Sequence, residues 1–319
     1  MLHRCFVLSL SFFFLLLLPF HSTTMTAQAL SPPKSAKEGW AASAIQLAKE
    51  LSISQREKLL AEEGVVQDWP VQISATRLGT TTSSANNDDD DDDSSSKTIT
   101  KIIHFQRHGQ GYHNLLGEIL RDAGVTPDID SKDPKINPWI RKEIVDSPLT
   151  ELGKEQCHDR RPEAALLTPQ LVVVSPLLRA IQTAKITFGD HDNRSDIPWV
   201  AHEGCREELG VLVCNQRRPL SQIQADYPEL QFHGDISEED TLWDPHQREN
   251  GASKSDRIYQ FLVDFVAQRP EQELAVVGHS AWLFHMCNAV VDCGEDTDLT
   301  SWFLTSEVRS MRISFIKRQ

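Results

Sequence analysis

Three short apolar runs in this chain each end in residues able to hold an anion and react with it. Residues 101–105 lead into Arg107, His108 and Gly109, residues 171–174 into Ser175 and Pro176 with Arg179 one turn further on, and residues 274–277 into Gly278, His279 and Ser280. Arginine offers a rigid fork of donors matched to phosphate oxygens, and the N–H groups of tight turns add more. A histidine beside them supplies a nitrogen that can serve as nucleophile, base or donor near neutral pH. One histidine in a turn is ordinarily just a hydrogen-bonded partner. Two histidines and two arginines at equivalent ends of three strands instead point to a phosphate ligand and chemistry at phosphorus.

Such a cluster needs a frame that brings three strand ends to one edge. Short β-branched runs suit a buried, largely parallel sheet, and 311–316 reads as one more strand. Amphipathic stretches at 151–165, 178–187, 255–267 and 281–290 predict helices between them. Residues 98–319 therefore read as one α/β domain with helices on both faces of the sheet, where ligands gather at the carboxyl ends of the strands. Ahead of it, residues 30–79 form a helical extension. Its apolar positions Trp40, Ile45, Leu47, Ala48, Leu51, Leu59 and Leu60 predict two short helices broken near Ser52 and Ser54, and a weak strand follows at 71–76. Apart from Ala85 and Lys97, residues 80–97 are Thr, Ser, Asn and Asp, with no apolar side chain larger than alanine. Such a stretch buries too little to offset its chain entropy and is expected to be a disordered linker.

Composition narrows the classes. The 319 residues and 39% hydrophobic content are enough for a large core, while the net charge of −14, part of it the acidic run 88–93, repels phosphate backbones. No nucleic-acid partner is expected. The six cysteines contain no CxxC pair, so neither a zinc site nor a disulfide scaffold is indicated. Arg4, the apolar run 5–20 and the small residues Ala27 and Ala29 read as a secretory signal peptide over residues 1–29. The run is short for a membrane span, so no stable span is expected after its removal. That reading sends the protein to the secretory pathway, the endomembranes or the outside of the cell. An uncleaved anchor is the alternative, and initiation at Met25 would leave a cytoplasmic protein.

Five blocks in order carry a family resemblance: Arg107-His108-Gly109 followed by Asn114, DSPLTELGKEQ from Asp146, SPLLRAIQTA from Ser175, CREELG from Cys205 and VVGHS from Val276. Together they resemble the histidine phosphatase superfamily, and more narrowly its plant phosphoglycerate-mutase-like branch, through VCNQRRP from Val213 and EVRSM from Glu307. The resemblance covers about residues 102–315. It implies a three-layer α/β/α sandwich with a central, mostly parallel sheet. It also implies a metal-independent phosphomonoester hydrolase that acts on a small phosphorylated metabolite through a phosphohistidine, with no cofactor.

By this resemblance His108 is the nucleophile, Arg107, Asn114, Arg179 and His279 hold the phosphoryl oxygens, and Glu207 gives the leaving oxygen its proton. Gly109 is expected to let the backbone approach the ligand, and Glu208 to be a solvated carboxylate facing away. Arg217 and Arg218 follow the acid loop, where the family places a substrate-recognising cap. They either meet a second anionic group or offset surface charge. Cys205 and Cys214 flank the acid and are either bridged or free. Trp282 and His285 are expected in the core, and Thr150 as a helix cap.

Two rival functions stand beside the hydrolase. A phosphoglycerate mutase uses the same centre, but this acid loop continues as LGVLVCNQRR and His279 is followed by Ser-Ala-Trp, both departures from cofactor-dependent mutases. A non-catalytic phospholigand-binding protein is the other, although a mere binder needs no nucleophile and acid together.

Overall fold

The computed structural model describes residues 42–62, 68–78, 98–189 and 197–318. The signal peptide expected at 1–29 and the linker expected at 80–97 lie outside the described residues. Among the described residues, no helix is long and apolar enough to cross a membrane.

The described residues build a seven-stranded sheet from β1 (Val71–Arg77), β2 (Ile99–Arg107), β3 (Leu171–Val174), β4 (Trp199–Ala201), β5 (Gln231–Phe232), β6 (Glu273–Gly278) and β7 (Val308–Lys317), in the order β1-β7-β2-β6-β3-β4-β5. The neighbours from β2 through β6, β3 and β4 to β5 are parallel, and β7 runs antiparallel to both β1 and β2. The sheet is thus mostly parallel, as expected.

Alternation along the central strands explains the layers. Ile103, Phe105, Leu171, Val173, Leu274 and Val276 point to one face, where they pack against Ile258, Phe261, Leu262, Phe265, Trp282 and Met286. These partners belong to α7 (Gly251–Gln260) with its π-helical continuation Phe261–Val266, and to α8 (Ser280–His285) with its continuation Met286–Val290. Val172, Val174, Ala275 and Val277 point the other way, onto Ala180, Ile181, Ala184 and Phe188 of α5 (Leu178–Phe188) and Ile223 of α6 (Leu220–Asp226). Because side chains alternate with period two, a run apolar at every position needs a helical layer on each face. Each fully buried aliphatic or aromatic side chain contributes about 1.5–3 kcal/mol, so the two layers hold the strand ends rigidly.

Several sequence expectations need correction. Among the described residues the two short helices expected in the extension are one, α1 (Ala42–Glu62), since Ser52 turns its hydroxyl back onto the Ala48 carbonyl at 2.5 Å and the helix continues. That hydroxyl also accepts the Trp302 N–H, which docks α1 on the domain. The sheet does not begin at residue 98 either, because β1 pairs along its whole length with β7. The stretch 151–165 splits into α3 (Glu151–Asp159) and α4 (Arg161–Ala164), Pro162 having no N–H to continue the ladder. The short strands β4 and β5, which extend the sheet beyond β3, were not foreseen.

Candidate active site

Parallel register brings the three strand ends level. Arg107 lies opposite Gly278, and Val174 opposite Val277, so His108, Ser175 and His279 leave the sheet side by side. The His108 N–H donates to the Gly278 carbonyl at 3.0 Å and the Ser175 N–H to the Val277 carbonyl at 3.0 Å, carrying the ladder past the strands. The His108 and His279 rings stand 5.2 Å apart between centroids.

Helix α5 serves the site along one stripe. Arg179, Thr183 and Thr187 recur every four residues and are buried, whereas Ala180, Ala184 and Phe188 form the adjacent stripe on the sheet. Thr183 accepts the Gly109 N–H at 3.0 Å, and Thr187 accepts from the Gln106 amide at 3.0 Å. The helix that presents Arg179 therefore also holds the loop that presents His108.

Every donor to the expected phosphate is buried. Arg107 directs Nη1 to the Phe303 carbonyl at 2.8 Å, and Arg179 directs Nη1 to the Cys214 carbonyl at 2.7 Å and Nη2 to Asn215 Oδ1 at 2.9 Å. The Nε of each is buried and meets no partner, and so is Nδ1 of His279. His108 donates from Nδ1 to the Gly109 carbonyl at 2.6 Å, which leaves Nε2 as the nitrogen with a lone pair. Burial first, then the guanidiniums of Arg179 and Arg107, hold His108 well below the ordinary imidazole value. Burial, then Arg179, does the same to His279. Burial also lowers Arg107 to about 10, so it stays charged at neutral pH. Asn114 accepts the Gly111 N–H on Oδ1 at 3.0 Å, turning its NH2 end away from that contact.

The acid loop reaches the same place from the short turn Glu203–Cys205. The Glu207 carboxylate accepts the N–H groups of Trp282 at 3.0 Å and Ala281 at 3.2 Å, in the first turn of α8 directly after His279. Glu208 does face elsewhere, but it is no solvated carboxylate. It pairs with Lys254 at 2.5 Å and Arg248 at 2.6 Å, and these cations hold it below the usual carboxylate range despite burial. Beneath the loop Arg206, fully buried, spans Glu203 and Asp240.

Arg217 is not brought to the site as a ligand-recognising cation. Its side chain is 1% exposed, and its three nitrogens donate to Glu203 and to the carbonyls of Arg218, Ser237, Glu238 and Glu239. Arg218 stays at the rim, bound to Asp146 at 3.0 Å and Asp226 at 2.9 Å. At Gly109 a Cβ would meet the Gly153 carbonyl at 2.5 Å, so close packing on α3 by itself demands a glycine there. Thr150 caps α3 through the Gly153 N–H at 3.0 Å. Trp282 and His285 are buried, Trp282 donating to the Gly204 carbonyl and His285 meeting Ser255. Cys205 and Cys214 are both free and buried. Among the described residues, no group of three or more His, Cys, Asp or Glu is arranged to hold a metal ion.

Sequence reasoning overlooked His113. Its ring centroid is 5.3 Å from that of His108, and burial, then Arg179, lowers it well below the ordinary value. The signal available was its place between the first cluster and Asn114.

The family profile of the histidine phosphatase superfamily (branch 1) matches residues 139–302. Phosphoglycerate mutase-like protein 1 of Arabidopsis thaliana is 32% identical over 244 residues, covering 67% of this chain and 81% of that protein. A probable phosphatase of Schizosaccharomyces pombe is 28% identical over 186 residues, covering 58% and 76%. Among solved structures, a mycobacterial glucosyl-3-phosphoglycerate phosphatase in complex with VO3 is 20% identical, with a TM-score of 0.39 over 66% of this chain and 90% of that one.

Proposed function

Because the chain belongs to the histidine phosphatase superfamily, we propose that it hydrolyses a small phosphomonoester through a phosphohistidine on His108. The observation that carries this reading is the commitment of His108 Nδ1 to the Gly109 carbonyl, which leaves an unprotonated Nε2 beside two buried guanidiniums. Nε2 attacks phosphorus as the bond to the leaving oxygen breaks, and Glu207 transfers its proton to that oxygen. Charge spread over the three equatorial oxygens is met by Arg107, Arg179, the NH2 of Asn114 and His279. The Ser175 hydroxyl lies 2.7 Å from His279 Nε2; donating to it, the hydroxyl leaves Nδ1–H free to serve the phosphoryl group. Water then attacks the phosphohistidine, the Glu207 carboxylate takes its proton, and phosphate departs with His108 neutral again.

Hydrolysis is favoured over phosphoryl return to a bound phosphoglycerate because Arg217 has its donors committed to the loop. A mutase would need cations there for the carboxylate. Purified protein should release phosphate from p-nitrophenyl phosphate, and label from a 32P substrate should be trapped on His108 under alkaline quench. The variant His108→Ala should do neither. Label on serine or cysteine, or turnover of 3-phosphoglycerate to 2-phosphoglycerate without phosphate release, would sink the reading.

A further inference from the structure

His108 has two imidazole neighbours, each with one ring nitrogen on a serine hydroxyl. One is His279, centroid 5.2 Å away, with Nε2 2.7 Å from the Ser175 hydroxyl. The other is His113, centroid 5.3 Å away, with Nδ1 3.1 Å from the Ser147 hydroxyl. Both flanking rings are buried, His113 at 3% exposure and His279 at 0%. The Nδ1 edge of His113 faces Gly111, where an added Cβ would lie 2.7 Å from Nδ1 and Cε1. The other nitrogen, Nε2, makes no hydrogen bond to protein among the described residues.

We propose that His113 is a substrate-binding residue, which donates a hydrogen bond from Nε2 to an oxygen of the phosphoryl group that His108 attacks. The inference rests on the phosphatase reading and adds a ligand group to it. The tautomer that serves this bond is one Ser147 can hold: with its hydroxyl donating to Nδ1, Nε2 carries the proton. Ser147 is itself well held. The preceding Asp146 sits in the left-handed region, with φ 44°, and its carboxylate accepts the Leu178 N–H at 2.7 Å and binds Arg218. The segment that orients His113 thus also fixes the first turn of α5, which carries Arg179. The Trp139 indole N–H donates to the His113 carbonyl at 2.9 Å and holds the backbone from the other side. A ring used only for packing would have both nitrogens satisfied by protein, whereas here Ser147 serves Nδ1 alone and Nε2 is left for a ligand.

The test compares His113→Phe, His113→Gln and Ser147→Ala with wild type in the full chain. Binding of inorganic phosphate is measured by calorimetry, alongside kcat and KM for p-nitrophenyl phosphate and the thermal midpoint. His113→Phe keeps a planar ring and should weaken phosphate binding about tenfold or more, the worth of a hydrogen bond to a charged group. His113→Gln, with an amide N–H near the position of Nε2, should recover most of that loss. Phosphate affinity unchanged in His113→Phe would overturn the proposal while leaving the parent reading intact, because wild-type turnover would persist. A wild type that neither binds phosphate nor hydrolyses any phosphomonoester would overturn both. Should His113→Phe fail to fold, 15N spectra of histidine-labelled wild type decide: a shift of the His113 Nε2 signal on adding phosphate supports the proposal, and an unmoved signal refutes it.

Discussion

Arg179 donates from Nη2 to Asn215 Oδ1 at 2.9 Å, and the same amide donates from Nδ2 to the Glu208 carbonyl at 2.8 Å. One buried side chain therefore sets the Arg179 guanidinium, proposed to bind phosphate, and the backbone of the acid loop relative to each other. Asn215→Ala leaves both groups unpaired at about 1–3 kcal/mol each. The expected outcome is a fall in kcat/KM of about tenfold or more together with a lowered unfolding midpoint, read by steady-state kinetics and urea denaturation. Wild-type kcat/KM in a folded variant would show that Arg179 needs no such anchor.

Glu207→Gln should slow hydrolysis of alkyl phosphates by about 10²–10⁴-fold while largely sparing p-nitrophenyl phosphate, whose phenolate leaves without a proton. The first turn of α8 keeps two N–H donors on that side chain, so the amide substitution is also expected to disturb the loop slightly. Parallel kinetics on both substrates check it, and equal losses on the two would place the acid elsewhere.

Glu208→Gln is expected to act on stability. Lys254 is buried and paired with Glu208, and stranding such a charge costs about 3–5 kcal/mol. Denaturant unfolding should therefore separate the two neighbouring glutamates: Glu208→Gln lowers the midpoint without a leaving-group effect, and Glu207→Gln does the reverse.

His108, His113 and His279 are all held well below 6.5 by burial and then by Arg179, and burial lowers His202 to about 4. Between those lowered values and 6.5 the unfolded chain binds more protons than the folded one, so acid favours unfolding. Each histidine removes up to about 1.4 kcal/mol per pH unit as pH falls below 6.5. Burial also lowers His285 to about 3, and Asp146 and Glu118, both raised chiefly by burial, work in the opposite direction as two groups against five. Unfolding free energies measured at pH 7.5, 6 and 5 should fall steadily, whereas a flat profile would mean that these rings take up protons in the folded state.

Gly109→Ala should cost activity well beyond its cost in stability, since the added methyl is driven against the Gly153 carbonyl and the Cys157 sulfur and the His108 loop must shift. Turnover compared with the thermal midpoint tests this. An active Gly109→Ala enzyme would show that α3 can yield without moving His108.

The strand runs 171–174 and 274–277 were legible because a run apolar at every position demands cover on both faces, and β3 and β6 lie there. Their carboxyl ends, and with them Arg107, His108, Arg179 and His279, could be read as one cluster before any coordinates, since parallel strands put equivalent ends at one edge. Strands β4 and β5 at one end of the sheet, three and two residues long, carry no such periodic signal. The serine-rich middle of α1 looked like a break because local propensity ignores the docking of Ser52 on Trp302.

What the sequence by itself determined is which groups are present: residue type and order along the chain specify two histidines, two arginines and a pair of adjacent acids suited to chemistry at a phosphate. Only the tertiary structure decided how that chemistry is assigned. The direction of a side chain in a loop depends on partners far away in sequence, and Glu208 is turned aside by Lys254 and Arg248, Arg217 absorbed by the loop at 237–239, and His113 swung beside His108 with Ser147 behind it. Each of these contacts spans 20 residues or more, except the adjacency of His113 to His108, so local propensity carries no trace of the long-range ones.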